Sequence, residues 1–184
     1  MFMTRRIVTA FNAEGHSYIA SDSEVTNTVV PSHDLLPGLS YDNVWMTKYG
    51  NHPEPGFTDV TKNIDIALSP SNGESILRIT RFPPEKEFLD KLESMGTNRS
   101  KAFLDTLDFA SDNPRHPLMH NTDSLDYGIV ISGSIFMVLD DGETQLFPGD
   151  IVVQNHTNHA WSNRSNYQCV IAFVLLDTYL PKPK

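Results

Sequence analysis

The chain has 184 residues, 39% of them apolar and 20% charged, with 10 Gly and 12 Pro. These figures suit one turn-rich domain that buries about two-thirds of its surface and do not suit a disordered chain. A net charge of −9 with no basic stripe beyond Arg5-Arg6 excludes a nucleic-acid partner, and a single cysteine excludes an internal disulfide or a Cys-built zinc site.

No apolar leader follows Met1, and the longest apolar run falls short of a membrane span, so the reading is a soluble, cytoplasmic protein with no membrane partner. Residues 5–29 read as a β-hairpin. Arg6–Phe11 forms one arm, Asn12–Gly15 the turn, and Ser17 starts the return. Residues 30–43 and 49–58 are Pro/Gly-rich and read as loops, with a short strand from Asn43 to Thr47 between them. Glu74–Phe82 is a strand stopped by Pro83-Pro84. In 85–110 the pattern turns helical: Phe88, Leu89, Leu92 and Met95 recur at helix spacing, and Phe103 to Phe109 do so after the Gly96 break. Residues 111–117 are a polar linker. From 125 to 180 short strands follow closely, with a hairpin signal at Asp141-Gly142, a turn at Pro148-Gly149 and a last apolar strand around Cys169. Cys169 reads there as an inert packing residue. That spacing predicts an all-β sandwich or closed barrel.

The informative stretch runs from His120 to Asn163. It contains His120-x-Thr122-x-x-x-Asp126, six residues to Gly133, then Phe147-Pro148-Gly149-Asp150, then His159-x-x-x-Asn163. This resembles the two motifs of the cupins, G-x5-H-x-H-x(3,4)-E-x6-G and G-x5-P-x-G-x2-H-x3-N. Thr122 stands where the family's second histidine lies, and Asp126 replaces the usual Glu. The second motif is one residue short and lacks its Pro and Gly. The resemblance covers roughly residues 74–177. It is similar to the small single-domain cupins with a degenerate first motif that occur in natural-product and catabolic gene clusters.

The resemblance implies an all-β cupin jelly-roll barrel in one domain, 1–184. Residues 1–73 would be an N-terminal β extension with loops, 74–84 and 117–180 the barrel core, and 85–116 a short helical insertion near the barrel mouth. It also implies a homodimer, through exchanged or augmented edge strands.

His120, Asp126 and His159 are the expected working groups. As acid and base in a dry cavity they suit dehydration, isomerisation, cyclisation or decarboxylation of a small oxygenated aromatic or polyketide-like molecule. As ligands, two imidazoles and one carboxylate suit a divalent metal (Fe, Zn or Mn) and dioxygenase chemistry. A non-catalytic small-molecule binding cupin is the third reading. Four further residues are candidate substrate contacts: Arg78 as an anchor for an acidic group, Thr122, the Gln154 amide, which would orient a substrate carbonyl or a His, and Trp161 as a flat wall. His16, His33, His52 and His116 read as surface groups, and His156 as exposed or supporting.

Overall fold

A strand sends successive side chains to opposite faces, and the last apolar run does so without interruption. Cys169, Ile171, Phe173 and Leu175 are buried, while the residues between them face outward. In the computed structural model, which describes residues 3–30, 37–71, 73–96 and 115–178, this run is β11 (Cys169–Asp177). Before it come β1 (Arg5–Phe11), β2 (Ser17–Glu24), β3 (Thr28–Val29), β4 (Ser40–Lys48) and β5 (Glu74–Phe82). The helix α1 (Lys86–Met95) follows, then β6 (Ser124–Ser132), β7 (Ile135–Leu139), β8 (Glu143–Leu146), β9 (Ile151–Asn155) and β10 (His159–Ser162).

The strands form a six-stranded sheet, β3-β4-β5-β11-β6-β9, and a three-stranded sheet, β10-β7-β8. A single antiparallel bridge between His120 and His159 adds a fourth member beside β10. The pair of layers is then β5-β11-β6-β9 against His120-β10-β7-β8, the two four-stranded layers of a jelly roll. Ile76, Val130, Ile135, Met137, Leu146, Ile171 and Phe173 fill the space between them. Among the described residues the two sheets share no ladder, so the all-β jelly roll is a sandwich and not a closed barrel.

Gly133 turns the chain from β6 into β7 with φ 76°, and a Cβ there would sit 2.6 Å from the Gln168 carbonyl oxygen and 2.8 Å from Cys169 Cα. Only glycine fits both constraints.

The main sheet takes in more of the early chain than the sequence implied. Ser40, Asp42 and Asn43 fall in the expected loop, or at its edge, yet are buried in β4, which pairs with β5 along its length. The boundary drawn at 73 therefore cuts through the six-stranded sheet. The signal was hidden because these inward positions are polar. Asp42 accepts from Thr4, Thr28 and Arg81, and Asn43 accepts from Arg78. What stands apart from the sheets is the hairpin β1-β2, a separate two-stranded unit. Its Arg6 is bound to Asp59, Thr61 and the Val44 carbonyl.

Helix α1 starts after Pro83-Pro84 and ends at Gly96, whose φ is 76°. Its Phe88 and Leu92, one turn apart, bury against Leu39 and Leu118. The expected second helix, 103–109, and His33 lie outside the described residues.

Candidate active site

Between the layers is a cavity of about 190 Å³. Tyr41, Phe82, Phe88, Trp161 and Phe173 supply aromatic walls, while Arg78, Thr122, Ser124, Asp126, His120 and His159 bring polar groups to it. Helix α1 and Leu118 border it.

The two imidazoles meet because His120 and His159 exchange backbone hydrogen bonds at 2.9 and 3.0 Å. Their ring centroids are 4.5 Å apart. His120 Nδ1 lies 3.0 Å from the Leu118 carbonyl oxygen. A carbonyl only accepts, so Nδ1 carries the proton and Nε2 of the neutral ring is the basic nitrogen. Burial lowers the His120 pKa, opposed by that carbonyl. Burial and then the neighbouring His120 push His159 down to about 4. Both rings are thus held neutral at pH 7.

Asp126 points inward from β6, opposite Gln154 on β9. Burial raises its pKa, against the pull of Ser124, His156, Arg78 and Thr122. Among the described residues, Asp126 Oδ1, Thr122 Oγ1, Ser124 Oγ and Gln154 Oε1 are buried with no well-formed hydrogen bond, Ser124 and Thr122 standing only near enough to Asp126 to ease its charge. Each such atom costs about 1–3 kcal/mol, so four in one place mark a region organised for something other than stability.

Arg78 is buried on β5, but much of its guanidinium is committed. Nε donates to Asn43 Oδ1 at 2.9 Å, and the terminal nitrogens donate to the Leu68 and Ala67 carbonyls at 2.6 and 2.8 Å. The side chain straps the 67–68 backbone to the sheet and stacks 4.7 Å from the Tyr41 ring centre. Burial lowers its pKa, opposed by Tyr41 and Asp126. Trp161 shares the face of His159, their ring centroids 6.0 Å apart, and packs on Phe173 at 5.3 Å.

No three His, Cys, Asp or Glu side chains among the described residues come together closely enough to hold an ion. The two imidazoles meet; Asp126 does not join them as a third donor. The charges that act on it are His156 and Arg78. Among the described residues the facial set of His120, Asp126 and His159 is not assembled.

Two residues escaped the sequence reading. His116, expected at the surface, is buried: Nδ1 accepts from the Leu118 amide and Nε2 donates to Glu85 at 3.1 Å. Glu85 also accepts from Ser162 Oγ at 2.8 Å and lines the cavity. Burial raises its pKa, but His116, Ser162 and Arg164 together outweigh that and hold it below the usual range. A lone Glu after two prolines carries no signal of this role. Asn163, the motif's last residue, closes a turn: its Nδ2 donates to the Phe82 and Tyr167 carbonyls. His156 is exposed, beside Thr178 Oγ1. Cys169 is wholly buried, with its thiol pushed up to about 11, which suits a packing residue.

Strand order and an inward-facing histidine pair define an all-β jelly roll with a polar pocket between its layers. No protein-family model matches the chain. Its sequence is similar to a phomopsin biosynthesis cluster protein of Diaporthe leptostromiformis, 54% identical over 50 residues, which are 27% of this chain and 26% of that one. It is also similar to two proteins named cupin-domain-containing oxidoreductases. The one from Aspergillus ruber is 48% identical over 63 residues, 32% of this chain and 31% of the relative. The one from Hypocrea virens is 48% identical over 46 residues, 24% of each. The chain thus spans about a quarter to a third of the length of these relatives. A solved cupin 2 conserved barrel domain protein from Salinispora arenicola aligns with a TM-score of 0.37 at 14% identity, over 82% of this chain and 87% of that one. An alignment this loose adds nothing to the fold assignment, which rests on strand order. No helix among the described residues is long and apolar enough to cross a membrane.

Proposed function

We propose that this cupin is a biosynthetic enzyme that moves a proton within a small oxygenated aromatic or polyketide-like molecule, with no net oxidation. The observation that carries the reading is the cluster of buried polar atoms without a well-formed hydrogen bond on Thr122, Ser124, Asp126 and Gln154, beside two neutral imidazoles in an aromatic-walled cavity. Flat walls suit a ring, and the polar cluster suits its oxygens. A neutral imidazole accepts a proton from carbon beside a carbonyl, and a carboxyl with a raised pKa supplies one to a departing hydroxyl. Dehydration, isomerisation, cyclisation and decarboxylation all fit that pair of moves. Thr122, Gln154 and Trp161 would contact the substrate, and Arg78 would contribute charge more than hydrogen bonds. A cytoplasmic homodimer completes the proposal.

The name oxidoreductase on similar proteins favours a second reading, in which an oxidant takes electrons from the substrate. A third reading is a binding protein without turnover.

One experiment separates all three. A panel of hydroxylated and β-keto aromatic compounds is incubated with the protein in deuterated buffer, aerobically and anaerobically, with and without chelator. Proton transfer is expected to place deuterium on carbon irrespective of oxygen and chelator, and Asp126→Asn is expected to abolish it while leaving the circular dichroism spectrum unchanged. Turnover that consumes oxygen and stops with chelator would overturn the reading in favour of an oxidoreductase. Ligand binding that survives His120→Ala with no turnover would favour the binding protein.

A further inference from the structure

Gln154, Thr157 and His159 form a closed triangle of polar atoms. Gln154 Nε2 lies 2.7 Å from the Thr157 carbonyl oxygen and 2.8 Å from His159 Nδ1, and Nδ1 lies 2.9 Å from that same oxygen. The carbonyl can only accept, the amide nitrogen can only donate its two protons, and Nδ1 does either according to the tautomer. If Nδ1 is bare, both amide protons fall on acceptors and one lone-pair contact remains. If Nδ1 is protonated, an amide proton meets the ring proton head-on. Turning the amide over places Oε1 against the carbonyl oxygen, with one ring proton between two acceptors. The first arrangement is the least frustrated.

We propose that Gln154 is a positioning residue that fixes His159 as the Nε2–H tautomer. His120 is held as the opposite tautomer, because its Nδ1 donates to the Leu118 carbonyl at 3.0 Å. Two like residues 4.5 Å apart therefore have opposite roles: His120 Nε2 accepts a proton and His159 Nε2–H donates a hydrogen bond.

Resting on the proton-transfer reading, this assignment narrows the substrate to a carbonyl compound with an acidic C–H bond beside the carbonyl. His120 Nε2 takes that proton, and the C–H electron pair moves to form the enolate. Its oxygen is held by His159 Nε2–H, which keeps its proton, as neutral imidazoles do in other enolising enzymes. His120 then returns the proton to the far carbon of the enolate system, or releases it to solvent while the Asp126 carboxyl protonates a departing hydroxyl that leaves as water and is itself reprotonated from solvent. Either way the protons balance and no electron acceptor is needed.

Long-range proton–nitrogen correlation spectra of uniformly 15N-labelled protein at pH 7, without substrate, test the assignment. His120→Asn and His159→Asn identify the two rings. Wild-type protein is expected to show His159 with its proton on Nε2 and His120 with its proton on Nδ1. In Gln154→Met the donor to Nδ1 is gone, and in Gln154→Glu a carboxylate accepts from it; His159 is expected to switch to Nδ1–H in both while His120 stays as it was. Two Nδ1–H rings in the wild type would overturn the proposal, as would a His159 tautomer unmoved in either variant, or a His120 ring that switches as well. If one variant fails to fold, the other still decides. Because no turnover is measured, loss of the enzymatic reading would leave this result standing, and the reverse also holds.

Discussion

Two imidazoles cost stability by being buried, and that cost has a pH signature. The unfolded chain protonates His159 near 6.5, whereas the folded site resists down to about 4. Over that window the unfolded state binds more protons, so stability is complete above pH 6.5 and falls as the pH drops toward 4. The shift corresponds to a loss on the order of 3 kcal/mol for His159. The lowered pKa of His120 acts in the same direction. Asp126, with its raised pKa, acts oppositely and loses stability as the pH climbs above the ordinary carboxylate range. Urea denaturation from pH 7.5 to 4 is expected to show a slope that His159→Gln flattens. An equally steep slope in the variant would contradict the burial argument.

At the scale of elements, the turn between β6 and β7 holds the jelly roll's two layers in register at one point. Alanine at Gly133 would place Cβ 2.6 Å from a backbone oxygen while the backbone keeps φ 76°. The left-handed backbone alone costs about 1–2 kcal/mol for a residue with a side chain, and the clash with backbone adds to it. Gly133→Ala is expected to lose more than about 2 kcal/mol in denaturant melts. Gly142→Ala meets nothing within 4 Å, although φ is 98°, and is expected to lose less. Equal losses would show that backbone conformation, not the close approach to Cys169, decides the position.

At the scale of the whole molecule, the six-stranded sheet carries an apolar face that the described residues leave exposed. Leu77, Val174, Tyr127 and Val153 form a row across β5, β11, β6 and β9, and Ala172, Ile129 and Ile151 form the next. Ile151 is 66% exposed and Val153 61%. A continuous apolar band of this kind is unusual on a monomer. A second copy is the occupant we propose, because a sheet face can meet its own image across a two-fold axis. The hairpin β1-β2 pairs with neither sheet's ladder and leaves Ile7 and Ile19 exposed, adding apolar surface. Sedimentation velocity is expected to show a dimer at micromolar concentration, and the double variant Ile129→Lys with Ile151→Lys a monomer of unchanged secondary structure. A wild-type monomer at those concentrations would remove the homodimer from the proposal.

The sequence by itself determined the strands from Glu74 onward, because period-two burial and turn residues are local properties. It also determined that His159 and Trp161 share a face, since residues two apart in a strand must. The resemblance to the cupin motifs brought His120 and His159 into consideration together, and in the structure an antiparallel bridge joins them. Only the tertiary structure decided which polar groups are occupied by other parts of the chain. Arg78 is held by Asn43 and two loop carbonyls from more distant sequence; His116 is drawn inside by Glu85; and Gln154 stands between Asp126 on the neighbouring strand and His159. Hydrogen-bond partners distant in sequence leave no periodicity to read. For that reason His120, Asp126 and His159 could be singled out beforehand, whereas the bonds that hold Glu85, His116 and Arg78 could not.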